Sequence, residues 1–108
     1  MTSAAASTFV PLVALSPLDG RYENKVSALR THFSEYGLIR NRLRVEVEWL
    51  KALAAEGQLA EIAPFSAATQ TELDAVVRDF AVADGEAVKA IEARTNHDVK
   101  AMEYWLKQ

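Results

Sequence analysis

A chain of 108 residues, half of them hydrophobic and a quarter charged, has the composition of one ordinary globular domain rather than of a disordered or membrane protein. Its net charge of −3 leaves no clustered Lys and Arg to face a phosphate backbone, which argues against nucleic-acid binding. The absence of cysteine excludes disulfides, thiol nucleophiles and cysteine zinc sites, and fits a reducing compartment.

Met1 to Phe9 are small and polar and lack the basic start and apolar stretch of a secretory signal. Residues 1–14 therefore read as a flexible tail. No apolar run approaches the roughly 20 residues that span a bilayer, so the expectation is a cytoplasmic protein without membrane attachment. Pro17-Leu18-Asp19-Gly20 reads as a turn, because proline presets one backbone angle and glycine accepts conformations other residues avoid. From Asn24 onward the apolar spacing is helical and no alternating strand pattern occurs, which predicts a small all-α domain of about five helices over 15–108.

The longest helix is expected to start after Ser34, a good N-cap, and to stop at Gly57. Tyr36, Ile39, Leu43, Val47, Leu50 and Ala54 form one apolar row on it, and Leu38, Val45, Trp49 and Ala52 a second, so both sides call for cover. Arg42 with Glu46 and Arg44 with Glu48 stand one turn apart as prospective ion pairs. Gly57 to Phe65 is a connector; Ser66 then caps a helix whose Leu73, Val76, Val77 and Phe80 make a stripe. After Ala83-Asp84-Gly85 a further helix runs toward Arg94 with Val88 and Ile91 inward, and a last one opens at Asp98 with Val99, Met102, Trp105 and Leu106. No capping glycine or polar tail follows, which suggests a piece of something longer.

Two segments hold residues suited to chemistry. Arg21 and Tyr22, fixed by the preceding turn, offer a guanidinium fork and a phenol that suit phosphate or carboxylate; equally, they are a solvated charge and an apolar anchor. Thr95-Asn96-His97-Asp98 lies at a helix start, where outward N–H groups attract anions and a histidine can donate a hydrogen bond or move a proton. The plainer alternatives are one structural hydrogen bond for His97 and helix capping for Asp98. His32 has no partners for chemistry, no metal-ligand spacing is present, and Trp49 and Trp105 read as packing residues.

Five segments in order resemble the bacterial type of adenylosuccinate lyase, in the fumarase and aspartase superfamily, from about Leu15 to Lys107: Ser16 to Tyr22, Lys25 to Arg30, Phe33 to Leu38, Val45 to Leu50, and Arg94 to Leu106. Residues before Val10 and from Gln58 to Gly85 match less well. The resemblance implies the helical N-terminal domain of a carbon-nitrogen lyase of AMP and purine biosynthesis. That family releases fumarate by β-elimination from adenylosuccinate and from the succinyl-carboxamide ribonucleotide intermediate, without a cofactor. It further implies that Arg21 and Tyr22 hold the nucleotide, at its phosphate, and that Asn96, His97 and Asp98 line the same site. The family's general acid, a histidine, and general base, a serine on a Gly-Ser-Ser loop, have no counterparts here, so the chain by itself is expected to be inactive. A homotetramer whose sites draw on several subunits is also implied. Two other readings stand beside this one: a stand-alone helical interaction module, and another superfamily lyase such as an argininosuccinate or aspartate lyase, against which Asp19-Gly20-Arg21-Tyr22 argues.

Overall fold

The computed structural model describes residues 10–108, and the stretch read as the start of a loose tail, residues 1–9, lies outside them. The described chain is all-helical: short α1 (Glu23–Val26) and α2 (Arg30–Phe33), then α3 (Glu35–Ala55), α4 (Ala67–Arg78), α5 (Val82–Thr95) and α6 (Asp98–Leu106). Four substantial helices therefore carry the fold. Where the apolar spacing from Asn24 read as helical, single turns of α and 3-10 helix alternate up to Phe33.

Local chemistry sets the boundaries of the long helices. Ser34 accepts the Gly37 N–H at its hydroxyl and starts α3; Ser66 does the same for Thr69 at the start of α4. Gly57, at φ 76°, turns the chain left-handed just past α3. Ala83, Asp84 and Gly85 belong to the first turn of α5 rather than preceding it, because the Asp84 carboxylate reaches back to accept the Ala81 N–H at 2.8 Å.

Burial follows from the first apolar row of α3. Ile39, Leu43 and Val47 meet Phe80, Val88, Ile91, Ala101 and Met102, with half-buried Leu73, Val76, Val77, Trp105 and Leu106 around them. Phe80, between α4 and α5, stacks on Tyr36 at 5.9 Å and takes the edge of Trp105 at 5.1 Å, while the Tyr36 hydroxyl donates to its carbonyl at 2.6 Å. The second row of α3 stays uncovered: Leu38, Val45 and Trp49 are 48–67% exposed. Nor do the anticipated Arg42–Glu46 and Arg44–Glu48 pairs form. Arg42 reaches across to Asp98 at the start of α6, a tertiary partner, while Glu48 turns toward Lys51, three residues on along the same helix, at 3.7 Å.

Residues 10–33 form an arm on this body. A 3-10 turn at Pro11–Val13 covers Gly20, whose missing side chain matters because a Cβ there would sit 2.4 Å from the Pro11 carbonyl oxygen. The arm joins α3 through Gly37, where a Cβ would lie 2.6 Å from the Thr31 carbonyl oxygen. The described residues span 57 × 37 × 20 Å with a radius of gyration of 18.3 Å, against about 13 Å for a compact domain of this length.

Candidate functional site

Ser16 caps the 3-10 turn Pro17–Asp19 by accepting the Leu18 N–H, and the Pro17 carbonyl then accepts from both Gly20 (3.2 Å) and Tyr22 (2.9 Å). These bonds fix the backbone of Arg21 and Tyr22 while leaving their side-chain tips available. The Arg21 guanidinium lies 5.3 Å from the centre of the Tyr22 ring and has no carboxylate partner among the described residues. It rims a shallow cleft of about 450 Å3 whose wall includes Pro11, Leu12, Ala14 and Pro17. A fixed, unpaired guanidinium beside a phenol can take an oxyanion bidentately with one further hydrogen bond.

At the α5–α6 corner each residue has a structural task. Asn96 adopts left-handed φ 53°, ψ 34° and closes α5 by donating its N–H to Glu92 at 2.7 Å. His97, not Asp98, is the N-cap of α6, its Nδ1 accepting the Lys100 N–H at 3.2 Å. A neutral imidazole that accepts at Nδ1 carries its hydrogen on Nε2, so the exposed ring presents Nε2–H as a donor. One structural bond thus orients the ring for donation. Asp98 opens the helix itself. The Val99 N–H (2.8 Å) and then Arg42 Nη1 (2.9 Å) hold its carboxyl below the ordinary carboxylate range.

Arg42 is the member of this corner that spacing assigned elsewhere. Its sign was legible in the sequence, but its partner lies 56 residues away. Among the described residues, no hydrogen bond, ion pair or common cavity joins Arg21 and Tyr22 to Asn96, His97 and Asp98. The two groups occupy the arm and the α5–α6 corner separately. Nor do any three His, Asp or Glu side chains gather among the described residues to hold a metal ion. No helix among them is long and apolar enough to cross a membrane.

No protein-family model matches the chain. It is 53% identical over 97 residues to the adenylosuccinate lyase of Haemophilus influenzae, 54% over 97 residues to that of Escherichia coli K12, and 52% over 97 residues to that of Vibrio cholerae. Each match takes in 90% of this chain but 21% of the relative, so the chain spans about a fifth of the length of these curated relatives. Identity of this degree across four capped helices and the arm leaves little room for coincidence: the chain is homologous to adenylosuccinate lyase and corresponds to the N-terminal part of that enzyme.

Proposed function

We propose that this chain is the substrate-binding N-terminal part of an adenylosuccinate lyase. The complete enzyme releases fumarate from adenylosuccinate, giving AMP, and from the succinyl-carboxamide ribonucleotide of the earlier pathway step. In this reading Arg21 and Tyr22 grip the nucleotide phosphate, His97 donates from Nε2, and Asn96 and Asp98 shape the wall beside it. The general acid and base come from the rest of the enzyme, so residues 10–108 bind or position substrate and do not turn it over. Assembly as a cytoplasmic homotetramer supplies the remaining walls and draws the arm and the α5–α6 corner toward a shared substrate.

The observation that carries the reading is the 52–54% identity to adenylosuccinate lyases over 97 residues. The unpaired Arg21 guanidinium and the oriented His97 ring supply donors for a multiply anionic substrate, which a site must fix in advance. The uncovered row Leu38, Val45 and Trp49 is the face this reading assigns to the remaining domains and neighbouring subunits.

The test is a graft in which residues 10–108 replace the matching segment of the Escherichia coli relative, with fumarate release as the readout. Arg21→Ala is expected to lower kcat/KM at least about 10-fold, the equivalent of one charged hydrogen bond, and His32→Ala to leave it unchanged. A graft that turns over normally and ignores Arg21→Ala, Tyr22→Phe and His97→Ala alike would remove the site assignment.

A further inference from the structure

A second cationic feature lies between α3 and α4, apart from Arg21 and the α5–α6 corner. It is a half-open cleft of about 290 Å3 lined by Arg40 and Arg44 from α3 and Arg78 from α4, with Asn41, Val77, Glu48 and Asp74 beside them. Arg40 and Arg44 stand one turn apart on the same helix and repel each other. Neither guanidinium has an ion pair or hydrogen bond among the described residues, and residues 1–9 contain no acid that could supply one. The Nε of Arg40 is buried without an acceptor, which a charged donor does not tolerate freely.

The two acids that line the cleft, Glu48 and Asp74, face a shared cation. Lys51 Nζ lies 2.8 Å from Asp74 and 3.7 Å from Glu48, and so draws both carboxylates toward itself. Arg78 gives Nε and Nη2 to Asp79, at 3.1 and 3.2 Å, and keeps Nη1 unused. Arg40 and Arg44 therefore face this small space with no carboxylate bonded to either, while Arg78, already paired with Asp79, adds its unused Nη1.

We propose that this cleft binds a small molecule carrying two linked oxyanion groups, phosphoryl or carboxylate. Arg40 and Arg44 take one group, which relieves their mutual repulsion, and Arg78 meets the other from α4. The fork geometry of arginine suits either oxyanion, and the volume sits at the small end of ligand pockets. This site is independent of the lyase assignment and stands whether or not Arg21 holds a nucleotide.

The experiment is an amide and side-chain NMR titration of the 108-residue chain at about 0.15 M salt, where exposed charges are screened. Inorganic pyrophosphate and succinate serve as separate probes. Saturation below about 1 mM by one of them, centred on Asn41 and Val77, is expected, and the probe that binds tells phosphoryl from carboxylate ligands. The double variant Arg40→Gln/Arg44→Gln should weaken that binding at least 10-fold, Arg44→Lys should weaken it less, and His32→Ala should leave it unchanged. The spectra of the free variants report directly whether each still folds. The proposal is overturned if neither probe saturates, if the shifts centre on Arg21 and Tyr22 instead, or if a folded Arg40→Gln/Arg44→Gln chain binds as well as the original.

Discussion

The arm, residues 10–33, and the helical body, residues 34–108, are held together by different physics. In the body, long capped helices bury Leu43, Val47, Val88 and Met102 almost completely. In the arm no large side chain is buried; Leu12, Leu15 and Phe33 are more than 80% exposed. What shapes the arm is close backbone approach at Gly20 and Gly37, together with surface pairs from Arg30 to Asp19 (3.1 Å) and Glu23 (3.3 Å), which in water are worth little. Arg21 and Tyr22 thus ride on a geometrically fixed but weakly anchored element, and His97 on a corner of the packed body. An element without its own core is free to settle against whatever surface completes it.

The comparison is broken most directly in the core. Leu43→Ala is expected to cost about 2–5 kcal/mol in urea unfolding, whereas Phe33→Ala in the arm should stay within about 0.5 kcal/mol. Equal effects at the two positions would mean that the arm shares the core. The joint comes next: Gly37→Ala adds a clash with the Thr31 carbonyl of about 1–3 kcal/mol against roughly 1 kcal/mol of helix propensity gained. Trypsin should then cut faster at Arg30, while the circular dichroism of the body persists.

Tyr36→Phe should lose about 1 kcal/mol, because the Phe80 carbonyl keeps its burial and loses its donor. At the corner, Asn96→Ala is expected to cost about 1–2 kcal/mol for its left-handed backbone and Asn96→Gly close to none. If Asn96→Gly nonetheless lowers kcat/KM in the grafted lyase, the side chain has a role beyond the turn. The smallest effect is in pH. The folded-state pKa of Asp98 is lowered, so its contribution is present above the ordinary carboxylate range and is lost as pH falls through the depressed value. Arg42→Gln should flatten that acid limb of a thermal-melting profile only in part, because the Val99 N–H is the larger cause.

Much of the body was legible because its signals are local. Ser34 and Ser66 cap the helices expected of them, and the first apolar row of α3 is the row that packs. The arm was less legible. Short α and 3-10 turns share residue preferences with continuous helix, so periodicity alone did not separate them. At the candidate site, Arg21, Tyr22, Asn96, His97 and Asp98 stood out by residue type. The capping of α6 by His97 rather than Asp98 did not, because Asp is the commoner cap and imidazole seldom fills that place.

By itself the sequence determined the all-α class, the long helix after Ser34, its core-facing row and the resemblance to adenylosuccinate lyase, since each rests on residue types at short spacing. Only the tertiary structure decided that Arg42 serves Asp98 instead of Glu46, that Trp49 stays uncovered, and that Arg40, Arg44 and Arg78 line one cleft. Those facts depend on which helices face each other, and side-chain partners brought together across tens of residues leave no mark in local spacing.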